Sequence, residues 1–349
     1  MISSFISSYV INKISDKKTP KLNKEKCINS IQKRQKCNLC EIYCTQNAIS
    51  LEGEIKIKED KCSNCNICVA ICPTGTMVPT FEVLEAQYNT ITKHNDISIG
   101  CNKDEDAYFK VDCLAVLPWE FLAYICLDNK VKLVNRSCKS CNNSNLSKEF
   151  YNTLDKLKSF LGEELYNEKV ILIDSDDIKI EAKEYTRRDL FKMWKDESKR
   201  LATNMAPIKF EENKNYRIYR SLLVKKVRNM KAKIGSSVDY NWPVLEINNY
   251  CWGCGICATI CPQRAITIKN ESDDTRKFIH NYTRCTHCGL CKTVCMDKAI
   301  TTAVKQGDGI EIFNKYNISS GTCLVCKDPI KPGEGDKCIV CNMESESQW

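Results

Sequence analysis

Apolar positions change period several times along the chain. MISSFISSYVINKISDKK places Ile2, Phe5, Ile6, Tyr9, Val10 and Ile14 at helical spacing, which predicts an N-terminal amphipathic helix over residues 1–21. Such a helix either caps the next domain or docks on a membrane surface or partner. NAISLEGEIKIKED alternates across Gly53, and RAITIKNESDDTRKFIHNYTR alternates across a bend of Asp and Ser; both read as short hairpins. Between them the rhythm differs. Strand signals end at IGC (Ile99 to Cys101), lie in FKVDCLAVL, and recur in KVKLVN and KVILIDS. PWEFLAYICL reads as a helix with Pro118 in its first turn, and SKEFYNTLDKLKSFLGEELY as an amphipathic helix capped by Ser147. This β-α-β-α-β order predicts a small parallel sheet over residues 95–180. Residues 186–240 read as a basic helical linker, in which TRRDLFK is a helix start capped by Thr186.

Composition changes the picture through one residue type. The chain has 349 residues, enough for two or three domains, and 25 of them are cysteine. No secretory leader is evident, and the cysteines sit in C-x-x-C runs, a metal-ligand spacing, so a reducing, cytoplasmic setting is expected rather than a disulfide framework. No window reaches 18 apolar residues, so no membrane span is expected. Eight cysteines fall in residues 27–72, five in 101–141, eight in 251–295 and four in 323–341.

The spelling C-x2-C-x2-C-x3-C begins at Cys62, Cys251 and Cys285, and an altered copy begins at Cys27. Zinc favours two separated C-x-x-C pairs around one ion. Three cysteines in one tight loop suit a cubane instead, three thiolates gripping three irons. On these motifs residues 22–85 and 244–305 each resemble a bacterial two-cluster [4Fe–4S] ferredoxin. The resemblance implies that the fourth cysteine of each run completes the neighbouring cluster. Cys251, Cys254, Cys257 and Cys295 would then hold one centre, and Cys285, Cys288, Cys291 and Cys261 a second. Cys62, Cys65, Cys68 and Cys44 would hold a third. The fourth would use Cys37, Cys40 and Cys72, but Arg34 stands where its first ligand is expected. Cys27 is the candidate replacement; the alternative is a three-iron cluster with Cys27 free.

Two further cysteine groups carry different signals. Cys101, Cys113, Cys138 and Cys141 fall near the carboxyl ends of predicted strands, where a parallel sheet gathers its ligands. They suit a [2Fe–2S] or zinc site, or are buried structural thiols. VDCLAVL, followed by a strand and a C-x-x-C, resembles the small iron–sulfur subunit of methyl-viologen-reducing hydrogenases. Cys126 reads as core packing. In the tail, residues 320–345, Cys323, Cys326, Cys338 and Cys341 form two knuckles around a Pro- and Gly-rich loop, which predicts a zinc ribbon, with rubredoxin-type iron as the alternative.

The formal net charge of +8 counts every cysteine as neutral. A cubane on four thiolates carries about −2 and four of them about −8, so the pI gives no reason to infer nucleic-acid binding. In the linker, Arg217, Arg220, Lys225, Lys226 and Arg228 read as a solvated face or, alternatively, a dock for an acidic partner. His287 reads as a loop filler beside its cysteines, and His94 and His280 have no partners visible in sequence. There is no C-x3-C-x2-C, P-loop or G-x-G-x-x-G, and no catalytic acid, base or nucleophile stands out. The expected protein is α+β: two ferredoxin-like dicluster modules flanking a small α/β domain and helical linker, with a terminal metal ribbon. Its expected role is electron transfer to or from a hydrogenase, a 2-oxoacid or aldehyde oxidoreductase, or a disulfide reductase. The alternative is a reductase whose middle domain is itself the substrate or disulfide-reducing site; a zinc-rich scaffold or nucleic-acid binder is weaker still.

Overall fold

Two short antiparallel strand pairs frame each cysteine-rich module. The computed structural model describes residues 19–33, 35–78, 96–101, 103–104, 107–141, 144–175, 218–234, 242–272, 274–304, 313–333 and 335–346. The expected N-terminal helix (apart from 19–21), Arg34, His94, Thr186 and Arg217 lie outside them. Module 1 runs β1 (Lys21–Leu22), α1 (Ile28–Ile31), α2 (Leu39–Ile42), β2 (Ile49–Ser50), β3 (Lys56–Ile57), α3 (Ile67–Ile71) and β4 (Met77–Val78). β1 pairs with β4 and β2 with β3, both antiparallel. Gly53 turns the β2–β3 hairpin at φ 72°, a left-handed conformation that costs glycine least. Ile49, Ile55, Val69 and Met77 fill the space between the pairs, with Cys27 and Cys72 buried among them.

The middle domain follows: β5 (Asp96–Cys101), β6 (Phe109–Val111), α4 (Trp119–Cys126), β7 (Lys130–Val134), α5 (Ser144–Leu161), α6 (Glu163–Lys169) and β8 (Val170–Ile173). The four strands form one parallel sheet in the order β6-β5-β7-β8. α5 starts at Ser144, so Ser147 sits inside its first turn rather than capping it. Pro118 is the residue before α4, where its fixed φ and missing N–H cost nothing. Cys126 is fully buried among Leu122, Ile125 and Leu157.

α7 (Ile218–Ile234) is the described part of the linker, and it packs inward. Arg220 is buried; its Nε donates to Glu120 Oε1 of α4 at 2.7 Å, and its guanidinium lies 5.3 Å from the Trp242 ring centroid. Lys226 donates to the Tyr124 carbonyl at 2.6 Å. Two of the five basic residues expected on a solvated or partner-facing surface therefore clamp α7 to the middle domain. Removing one partner of a buried ion pair leaves an uncompensated charge, which typically costs about 3–5 kcal/mol.

Module 2 repeats the frame of module 1. It runs β9 (Pro243–Ile247), α8 (Ile256–Ile260), β10 (Ile266–Asn270), β11 (Thr275–Asn281), α9 (Leu290–Val294) and β12 (Ile300–Val304). β9 pairs with β12 and β10 with β11. β13 (Phe313–Ser319) adds a third strand beside β11, one the residue spacing does not predict. It leads into the tail: β14 (Gly321–Thr322), β15 (Pro329–Ile330) and α10 (Ile339–Glu346). One apolar core is shared across the units. Ile67 of module 1, Val244 and Tyr282 of module 2, and Leu223 and Val227 of α7 join the middle domain's Leu122, Leu133 and Phe150. No helix among the described residues is long and apolar enough to cross a membrane.

Candidate functional site

The repeated spelling folds into a repeated backbone. In the runs beginning at Cys62, Cys251 and Cys285, the residue after the second cysteine is left-handed: Asn66 (φ 55°), Gly255 (φ 81°) and Gly289 (φ 81°). Each caps a one-turn helix that carries the third cysteine. The residue before the second cysteine is left-handed too: Asn64, Gly253 and His287. In every run the amide four residues beyond the fourth cysteine donates to its sulfur: Ala48 to Cys44 (3.2 Å), Thr76 to Cys72 (3.3 Å), Ala265 to Cys261 (3.3 Å) and Ala299 to Cys295 (3.2 Å). Such N–H donors favour a thiolate over a thiol.

The loops gather the thiols into fours. One cavity is lined by Cys44, Cys62, Cys65 and Cys68, the Cys44 set, with Ile49 and Ile67. A second is lined by Cys261, Cys285, Cys288 and Cys291, the Cys285 set, with Leu245 and Leu290. A third is lined by Cys27, Cys37, Cys40 and Cys72, the Cys27 set, with Ile28, Ile55 and Met77. Cys251, Cys257 and Cys295, of the Cys251 set, border the module 2 core, and Cys254 is exposed beside them.

Electrostatics report the same neighbours. Burial pushes Cys40 up to about 12, with the charges of Cys72, Cys37 and Cys27 adding to it. Cys291 also rises to about 12, through burial and then Cys285, Cys288 and Cys261. Cys257 rises to about 12 through burial and then Cys254 and Cys251. Thiols so crowded and dry resist ionising together unless a cationic core sits among them. Inward sulfurs, an apolar wall and N–H donors aimed at sulfur fit an iron–sulfur cluster.

The Cys27 set departs from this pattern in an informative way. Asn38, after the second cysteine of its run, has φ −129° and is not left-handed. Cys27 instead arrives at the start of α1, ahead of Asn29. The Asn29 side chain accepts from the Cys37 amide and donates to the Cys37 carbonyl, both at 2.8 Å. That two-bond clamp holds α1 against the cysteine loop. Burial opposes ionisation of Cys72, but the amides of Met77 and Thr74 and the hydroxyls of Thr76 and Thr74 outweigh it and hold this thiol below its usual value. Asn29, Thr74 and Thr76 carried no sequence signal, because single polar residues have no spacing to recognise.

In the middle domain Cys101 ends β5, Cys113 follows β6, and Cys138 and Cys141 follow β7, on three adjacent strands. Asp104, buried and unforeseen, ties the ends of β5 and β7: its carboxylate accepts from the Cys101 thiol at 3.2 Å and from the Ser137 hydroxyl at 2.9 Å. Gly100 makes room for this fold-back, since a Cβ there would lie 2.6 Å from the Ala107 Cβ. Burial pushes Cys138 up to about 12, aided by the charges of Cys101 and Cys113.

The tail has a different scale. The sulfurs of Cys323, Cys326, Cys338 and Cys341 all lie within 4.8 Å of one another, with Cys326 and Cys338 3.7 Å apart. Among the described residues this is the one group of three or more such ligands so tightly gathered. Four sulfurs about 2.3 Å from one tetrahedral ion need this closeness, and the group fits a metal ion.

Two like modules, each gathering its cysteines into two sets of four, define an iron–sulfur electron-transfer protein. The 4Fe-4S dicluster domain family matches this chain at residues 33–76 and again at 250–299. Pyruvate synthase subunit PorD of Thermotoga maritima is 39% identical over 72 residues, 20% of this chain and 66% of that protein. The subunit of the same name from Methanocaldococcus jannaschii is 35% identical over 65 residues, 18% of this chain and 67% of that protein. The chain thus spans about two thirds of each relative's length, and it belongs to the two-cluster [4Fe–4S] ferredoxin family.

Proposed function

We propose that the chain is a polyferredoxin that relays single electrons through four [4Fe–4S] clusters to or from a partner oxidoreductase. The Cys44, Cys27, Cys285 and Cys251 sets each hold one cluster, with Cys27 the fourth ligand of the irregular site. A bound cluster supplies a low-potential one-electron carrier. The chain's own contribution is electrostatic: amides donate to the ligand sulfurs, and Ile49, Met77, Leu245 and Leu290 keep water from the site walls. The observation that carries the reading is that three separate cavities are each lined by one complete set of four thiols.

The tail is a structural zinc ribbon, and the middle-domain thiols hold a further metal, [2Fe–2S] or zinc. The working units are residues 22–85, 95–180 and 244–305, with the linker at 186–240 and the ribbon at 320–345. The partner class we favour is a 2-oxoacid oxidoreductase, because both relatives are named as subunits of pyruvate synthase.

Anaerobic purification with metal analysis tests this. About sixteen irons and sixteen sulfides per chain are expected from four cubanes, and about one zinc from the ribbon. Two additional irons and sulfides would assign [2Fe–2S] to the middle domain. A chain that stays folded but colourless after reconstitution with ferrous iron and sulfide overturns the proposal.

A further inference from the structure

The two modules meet at particular cysteine sets. Gln35, two residues before Cys37, donates from Nε2 to the Cys288 carbonyl at 2.7 Å. Its Oε1 accepts from the Thr293 hydroxyl of α9 at 2.9 Å. Independently, Gln263, two residues after Cys261, donates at 2.6 Å to the carbonyl of Thr74, two residues after Cys72, and this bond is buried. Both bridges join the Cys27 set to the Cys285 set. Each bridging residue is a cysteine of one of these sets or lies two positions from one, and two residues of chain span at most about 7 Å.

A third tie holds the arrangement from behind. Arg220, paired with Glu120 of the middle domain, donates from Nη1 to the Cys285 carbonyl at 2.7 Å. Ile67 of module 1 and Tyr282 of module 2 enter the same middle-domain core.

We infer that Gln35 and Gln263 lock the modules together through the irregular site, so that the four cysteine sets form one unbranched series. The order is the Cys44 set, the Cys27 set, the Cys285 set and the Cys251 set. The inference rests on the proposed four-cluster reading. It adds which sets face each other across the module boundary, which that reading leaves open. It also gives the Cys27 set a role: the set with the displaced ligand is the one that makes the junction.

A further cysteine group stands at each end of the series. Cys65 of the Cys44 set packs against the core that Cys113 and Cys138 border. Beside the Cys251 set, Asp297 accepts from Trp252 Nε1 at 2.9 Å and from Lys331 Nζ of the tail at 3.0 Å.

Two full-length variants test the order. One carries Cys62→Ala, Cys65→Ala, Cys251→Ala and Cys254→Ala and keeps only the two middle sets. The other carries Cys37→Ala, Cys40→Ala, Cys285→Ala and Cys288→Ala and keeps only the end sets. Each should retain about eight irons. After full reduction the first should give a split, fast-relaxing paramagnetic resonance spectrum from two adjacent spins, and the second a sum of isolated signals. Isolated signals from the first, or equal splitting in both, overturn the inference.

A measurement on the native chain covers variants that fail to load. Lys36 and Lys292, both exposed, flank the Gln35–Thr293 bridge. A short amine-reactive cross-linker should join them within a monomer. Absence of that link, while lysines within one module do link, also overturns the inference. Low iron in the native protein would count against the four-cluster reading, whereas the cross-link reports docking with or without metal.

Discussion

Modules 1 and 2 share one frame, and their differences show which parts of it are adjustable. In both, an amide beyond the hairpin donates back to the alanine that starts it: Lys58 to Ala48 and Asn281 to Ala265, each at 2.7 Å. That alignment matches Ile57 of module 1 with His280 of module 2, since Ile49 pairs with Ile57 and Ile266 with His280. The hairpins between differ in length. Module 1 pairs only two residues per strand, whereas module 2 pairs five and adds β13 alongside. The longer ladder gives module 2 an edge from which the tail departs. In module 1 the adjustment is made at the thiols: Cys27 comes in from α1, and Asn29 fastens it to the loop. Strand length and thiol origin vary, while the sulfur-directed amides recur in all four runs.

The largest expected effect breaks the comparison at its most unequal point. Cys27→Ser should cost the irregular site a ligand. Iron should fall by about one from about sixteen per chain, leaving a three-iron centre with its own oxidised resonance signal. Cys285→Ser, at the regular site, should perturb a different centre and leave the Cys27 site unchanged. Unaltered iron and spectra in Cys27→Ser would mean that Cys27 is only a buried thiol beside a three-ligand site. Asn29→Leu should shift the iron content in the same direction as Cys27→Ser, because it removes the clamp without touching a ligand.

The next effect concerns the matched pair Ile57 and His280. His280 is fully buried, and its Nδ1 accepts from the Leu245 amide at 3.2 Å, so the partner missing from sequence lies on β9, in the module's other strand pair. Burial lowers its value from 6.5 to about 4. The folded chain therefore keeps the ring neutral where the unfolded chain takes up a proton. Stability is unaffected above about pH 6.5, falls as pH drops below it, and by about pH 4 has lost about 3 kcal/mol. In His280→Gln the amide oxygen can still accept from Leu245 but does not titrate. From pH 7 to 5.5 the native melting temperature should fall more steeply than the variant's. Parallel curves would show that His280 carries no such linkage. Ile57→Val in module 1 should leave the pH slope unchanged.

What the sequence made legible follows from range. The cysteine runs, both hairpins and the parallel strands are local patterns, and local spacing encodes them. Arg220 was visible as one basic residue among several, but its inward turn depends on Glu120, a hundred positions away. Gln35 and Gln263 were invisible for the same reason: each makes one bond to a main-chain carbonyl of the other module. Asp104 lies close in sequence to Cys101, yet its link to Ser137 exists only because β5 and β7 are neighbours. β13 was missed because its value as a strand comes from the open edge of β11. Pattern found the cysteine runs; the residues that hold them in place needed the fold.

The smallest effect sharpens the comparison at the left-handed positions. Gly255 and Asn66 occupy the same place in their runs, at φ 81° and 55°. Space is not the issue at Gly255, where a Cβ would have nothing within 4 Å. The cost of Gly255→Ala is the left-handed backbone itself, about 1 kcal/mol. Asn66 meets the same demand by other means: its side-chain amide donates to the Asn64 carbonyl at 3.1 Å. Asn66→Gly would relieve backbone strain but lose that bond, worth about 0.5–1.5 kcal/mol, so the two terms nearly cancel. Melting should therefore drop by about 2 °C in Gly255→Ala and stay within error in Asn66→Gly. Asn66→Ala should be worse than either, because it keeps the strain and loses the bond. If Asn66→Ala melts like the native chain, the loop in module 1 is not held by its own backbone, and the thiols' bound group would be holding it instead.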